Sequence, residues 1–319
     1  MTVIDVHAHW MPESFAARVE TVAESDVGFG RRFASLLGRA RPALTDITAL
    51  LREMDDAGVD MALVSVPPPA SAVPGTEPSR YLAAELNDAL VSTVSAYPSK
   101  LRAVLSLPLP DVDAACRELR RWTDDGQFAG IVLPVALGHA GIDADALEPL
   151  YRACAESNIP VFLHPALDEA SAQLSQWNLH SAIGGPVATT TAVVRLALSG
   201  VLDRYPDLTI VAPHLGGLIP TLFGRLADQC TSPLARHKLT HYLSTRIYYD
   251  TCAFHPPALQ CALATFGVSR FLFGTDYPFR GPISRATKEL DEYLDAAANE
   301  AITKRNAQRL LAKRVIQNL

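Results

Sequence analysis

Four of the nine histidines in this 319-residue chain stand at the ends of short apolar runs. His7 and His9 close Val3-Ile4-Asp5-Val6-His7-Ala8-His9, and His164 closes Ile159-Pro160-Val161-Phe162-Leu163-His164. His214 follows Leu208-Thr209-Ile210-Val211-Ala212-Pro213, and a carboxylate, Asp276, ends Phe271-Leu272-Phe273-Gly274-Thr275-Asp276. The last three runs break at Pro or Gly, the punctuation of strand ends. Alternation along a strand puts His7 and His9 on one face and Val6 and Ala8 on the other. Neutral imidazole and carboxylate are ligands for Zn²⁺ or Mn²⁺, and a catalytic ion keeps a position open for water or substrate. Any one of these histidines is as well explained by core packing or by an exposed terminus. Five such groups, each at a strand end, call for a shared rim.

The elements between them supply that rim. Eight β-rich runs, at about 3–9, 61–67, 101–107, 129–135, 159–164, 208–213, 246–250 and 271–276, alternate with helical patterns. The helices are expected near 45–57, 81–95, 111–123, 145–156, 187–203, 218–229, 257–266, 284–298 and 299–312. Strands this continuously apolar are covered on both faces, as in a parallel sheet. Eight of them close most economically into a (β/α)8 TIM barrel, whose sites lie at the C-terminal ends of the strands. Residues 10–44 form an irregular insertion after strand one, with Arg18, Arg31, Arg32, Arg39 and Arg41. A second long connection, 166–186, carries Trp177 and His180. Extra helices close the chain, and residues 1–319 read as a single domain with no boundary, repeat or low-complexity tract.

Apolar residues make up 49% and charged residues 19%, a globular balance. A net charge of −6 offers no basic stripe for nucleic acid. The five cysteines are scattered, without a Cys-x-x-Cys pair, and read as core thiols in a reducing compartment. No leader pattern and no run of membrane-helix length is apparent, so a cytoplasmic setting is expected and a membrane partner is not.

With His7, His9, His164 and Asp276 as four ligands, and no lysine among Ile131, Val132 and Leu133 to bridge two ions, the centre is mononuclear. His214 is the fifth rim group, placed to take a proton from metal-activated water. The quoted motifs, with Val211-Ala212-Pro213-His214-Leu215-Gly216-Gly217 and Phe273-Gly274-Thr275-Asp276-Tyr277-Pro278-Phe279, resemble those of the amidohydrolase superfamily. The resemblance extends to its branch of aminocarboxymuconate-semialdehyde, resorcylate and 5-carboxyvanillate decarboxylases, and includes 52–60 before strand two. It implies metal ligation by His7, His9, His164 and Asp276, with His214, and Asp276 as a second proton donor, serving catalysis. It also implies that Arg41 and Arg225 grip the substrate carboxylate, Arg225 reaching across from the second subunit of a homodimer. Leu215, and a 177–181 stretch without that branch's spaced aromatics, depart from the pattern close to where substrate would sit. Trp177 and His180 are candidate pocket residues. The expected activity is decarboxylation of a small anionic, unsaturated or aromatic acid with one divalent ion, Zn²⁺ first and Mn²⁺ as the alternative. Hydrolysis or hydration at the same ion is the rival reaction, and a non-catalytic metal-holding barrel the rival class.

Overall fold

The computed structural model describes residues 2–25, 40–68, 77–137, 140–166, 172–174 and 176–315. Eight parallel strands follow one another in chain order around a single sheet: β1 Ile4–His9, β2 Met61–Ser65, β3 Leu101–Ser106, β4 Phe128–Pro134, β5 Val161–His164, β6 Ile210–Ala212, β7 Ile247–Asp250 and β8 Phe271–Leu272. Two backbone bonds, Val6 N to Phe273 O and His9 N to Tyr277 O, both 2.8 Å, and a parallel bridge between Ala8 and Tyr277 draw the last strand back to the first. The result is the expected barrel.

Its interior is layered. Ile4, Val6, Leu63, Val104, Val132, Phe162, Val211 and Leu272 fill the lower barrel, and Ala307 and Leu310 of the Asn306–Val315 helix pack against them. Further along, the cavity lining turns polar, with Ser65, His7, His164 and Asp250. A larger shell of apolar contacts joins the outer strand faces to the helices. The Ile47–Ala57 helix shows how these are set. Asp46 accepts hydrogen bonds from Thr48 N and Ala49 N at its start, Leu50 and Met54 are buried, and Gly58 at φ 69° ends it.

Several local expectations are corrected. The insertion is not wholly irregular: Glu13–Ser25 and Arg41–Thr45 are helices, while Arg31, Arg32 and Arg39 lie outside the described residues. A helix at Leu239–Thr245 precedes β7, and a small antiparallel hairpin pairs Ala136–Leu137 with Ala140–Gly141. The closing helices divide at Ile283–Tyr293, Ala296–Glu300 and Asn306–Val315, with a π-turn at Ala301–Arg305. One continuous helical stretch, His180–Leu198, is long and apolar enough by length and composition to cross a membrane. Here Thr189, Ala192, Val193, Leu196 and Ala197 of its Gly185–Leu198 part are buried, as befits a helix leading from β5 to β6.

The most consequential correction lies in β1. Its pairing with β2 advances three residues, Asp5 to Ala8, against two, Ala62 to Val64, so β1 carries one extra residue. This β-bulge breaks the simple alternation, and Val6 lines the same cavity as His7. Ala8 turns outward instead, into the shell beside Leu50 and Met54.

Candidate metal centre

β1, β5 and the segment after β8 bring His7, His9, His164 and Asp276 together, one ligand atom from each lying within 4.8 Å of all the others. His9 Nε2 is 3.1 Å from His7 Nε2, 3.2 Å from His164 Nε2 and 3.2 Å from Asp276 Oδ1. Two donors each roughly 2.0–2.1 Å from one ion, at angles between square and tetrahedral, stand about 2.9–3.4 Å apart. The spacing fits a shared cation.

The other ring nitrogens explain the orientation. His7 Nδ1 donates to Asp250 Oδ2 at 2.6 Å, and His164 Nδ1 to Pro165 O at 2.8 Å. His9 Nδ1 lies 3.3 Å from Ser65 O and 3.0 Å from its hydroxyl. With their protons on Nδ1, assigned from these acceptors, the rings turn Nε2 lone pairs toward one point and toward a carboxylate. Lone pairs so arranged repel unless a positive charge lies between them, a proton on His7 in the metal-free protein or a cation that displaces it. These residues fit a divalent ion.

Electrostatics point the same way. Burial depresses the imidazoles of His9 and His214, and takes His164 well below its ordinary range. Burial would depress His7 as well, but the charge and hydrogen bond of Asp250 override it and lift His7 to about 9. Asp276 is raised by burial, yet the close imidazole of His9 and the charges of His7 and His214 outweigh that and hold it well below the usual carboxylate range. It is ionised at neutral pH.

Asp250 is the functional residue that motif reading passed over. Its Oδ2 holds His7 while its Oδ1 accepts the backbone N–H of His214 at 2.8 Å and of Cys252 at 3.0 Å. The signal was present: Ile247-Tyr248-Tyr249-Asp250 is another apolar run closed by an acid. Beside it, Gly274 is closely enclosed, since a Cβ there would meet Asp250 Cβ at 2.8 Å and His7 Cβ at 3.0 Å and force one of them to shift. His214, Leu215 and Asp276 all adopt left-handed backbone, with φ of 52°, 60° and 57°, strain of the kind that gathers at working sites. The His214 ring centroid lies 5.3 Å from that of His7, and its buried Nδ1 has no hydrogen-bond partner. Phe279 packs edge-on to His9, and Phe254, 63% exposed, lies 6.1 Å from His214.

The four expected substrate residues do not join this cluster. Arg41 is held by Glu13 at 2.8 Å and by Glu20, which leaves its guanidinium engaged within the insertion. Arg225 is exposed on the Ile219–Gln229 helix. Trp177 is 83% exposed, and His180 opens a π-helical turn, half-buried. Among the described residues neither makes a hydrogen bond or ring contact with the histidines.

A family profile described as amidohydrolase matches residues 4–313. The chain belongs to the amidohydrolase family. Among its relatives, this amidohydrolase is 28% identical over 270 residues to a gamma-resorcylate decarboxylase of Rhodococcus jostii, spanning 78% of this chain and 80% of that one. It is also 25% identical over 294 residues to a 2-keto-4-carboxy-3-hexenedioate hydratase of a Sphingobium strain, spanning 82% and 81%. A solved 5-carboxyvanillate decarboxylase from Novosphingobium aromaticivorans, with bound manganese, superposes at a TM-score of 0.86 with 21% identity, covering 98% and 97%.

Proposed function

We propose that this amidohydrolase is a metal-dependent carboxy-lyase that removes CO₂ from a small aromatic or unsaturated carboxylic acid. The observation that carries the reading is the convergence of three imidazole Nε2 atoms on Asp276, each ring positioned through its Nδ1. A bound divalent ion supplies a Lewis acid there, stabilising negative charge as it develops on the substrate. Zn²⁺ suits the nitrogen-rich donor set, and Mn²⁺ accompanies a related decarboxylase fold.

The chain's own residues do the rest. In decarboxylation the carbon–carboxyl bond breaks, CO₂ leaves, and the electron pair left on carbon takes up a proton. Asp276, firmly ionised, is a poor donor for that proton and a good ligand. His214, with a free Nδ1 on the same rim, is the better carrier. Phe254 and Phe279 flank the two sides of the cluster and offer apolar walls to a flat ring. Arg41 is already paired, so a carboxylate grip would come from Arg225 of a second copy, which makes a homodimer part of this reading.

The hydratase relative favours one alternative, addition of water to a conjugated double bond at the same centre. The test is direct. Zn²⁺- or Mn²⁺-loaded protein is offered a panel of hydroxybenzoic and muconic-type acids while CO₂ and absorbance are followed. CO₂ release that is lost in His7→Ala and His214→Ala supports the lyase. Turnover without CO₂ replaces it with the hydratase.

A further inference from the structure

We propose that this centre holds a second, weaker cation subsite, selective for thiophilic ions and inhibitory, formed by His214, Cys252 and Asp276. One ligand atom from each of the three lies within 4.8 Å of the other two, and the described residues contain only one other such group, the metal centre above. Asp276 belongs to both, so its carboxylate can bridge two ions, which in bridged sites stand about 3.5–4 Å apart.

Each member is placed by the barrel. His214 follows β6, Cys252 stands two residues past β7, and Asp276 four residues past β8, so three adjacent strand ends face one another. The Cys252 thiol is 1% exposed and its hydrogen-bond contact is with Thr275 O at 3.9 Å, a loose one that leaves sulfur available. His214 Nδ1 is buried and unpartnered. A buried imidazole nitrogen without a hydrogen-bond partner, on a residue clustered with a thiol and a carboxylate, costs stability unless something occupies it.

The donor set decides what fits. Sulfur, imidazole and carboxylate suit Cd²⁺, Zn²⁺ and Co²⁺, whereas Mn²⁺ and Mg²⁺ favour oxygen. A thiol ligates a cation as thiolate, so the second ion must displace the Cys252 proton to solvent. With Asp250 and Asp276 balancing the first ion, only the new thiolate offsets the second. Both effects rank this subsite below the first in affinity. An ion there takes up His214, the proton carrier of the reading above, on which the inhibitory consequence rests.

The experiment is a Co²⁺ titration of metal-free protein, read by absorption, with an activity series in excess Cd²⁺ or Mn²⁺. The first Co²⁺ equivalent is expected to bind without sulfur, and a thiolate-to-cobalt charge-transfer band to grow with the second. Excess Cd²⁺ then inhibits and excess Mn²⁺ does not, and Cys252→Ser removes the band, keeps the first equivalent and raises the inhibitory Cd²⁺ concentration at least tenfold. Absence of the band at any Co²⁺ excess, or its appearance with the first equivalent, overturns the proposal, and the unsubstituted protein alone gives either answer. Failure of the lyase reading shows separately, as two normal binding events in a protein that releases no CO₂.

Discussion

Asp250 ties two parts of the centre together at the level of single atoms, one oxygen on the His7 ring and the other on the His214 backbone. Asp250→Asn keeps the shape and removes the charge. Outer-shell partners of this kind are worth about 10–100-fold in metal affinity. Chelator competition on this variant should find a loss of that size, with activity falling in step. The same contact sets a pH dependence. His7 is raised from 6.5 to about 9, so the stability it draws from Asp250 is complete below about 6.5 and disappears as pH rises through 9. Metal binding runs the opposite way, because the ion must take the nitrogen from a proton. Apparent affinity should therefore climb roughly tenfold per unit between pH 7 and 9. A flat profile would mean that His7 surrenders no proton.

Among the elements, β1 and the turn after β8 matter most. Alternation alone puts His7 and His9 on one side, and the bulge between Asp5 and Ala8 is what adds Val6 to the cavity that His7 lines. Asp5, fully buried, accepts from Thr275 Oγ1 at 2.6 Å and from Thr275 N at 3.2 Å, which fastens the strand to the turn bearing Asp276. Gly274 lies between them without room for a methyl group. Gly274→Ala should cost about 1–3 kcal/mol by overpacking, and it should weaken metal retention as well, because the displaced atoms are those of His7 and Asp250. Asp46→Ala is the contrasting case. Loss of its two capping bonds should cost about 1 kcal/mol in denaturant unfolding and leave metal affinity unchanged.

For the whole molecule, stability and chemistry occupy opposite ends of one barrel. Leu310 packs under the lower layer, so Leu310→Ala should cost about 2–5 kcal/mol, visible as a lowered Tm with an intact metal centre. Light scattering at micromolar concentration should find a dimer, and a monomer would take Arg225 out of the site. Much of this was legible beforehand. An apolar run closed by His or Asp is a local pattern, and eight such runs alternating with amphipathic helices admit few architectures, so the barrel and the five rim residues follow from residue order alone. The sequence by itself thus determined which side chains end the strands, because period and punctuation are properties of neighbours along the chain. Only the tertiary structure decided the bulge that turns Val6 inward, the role of Asp250, the pairing of Arg41 with Glu13, and the meeting of Cys252 with His214. Those depend on which strand ends close around one axis, and contacts across a barrel leave no periodic trace in the order of residues.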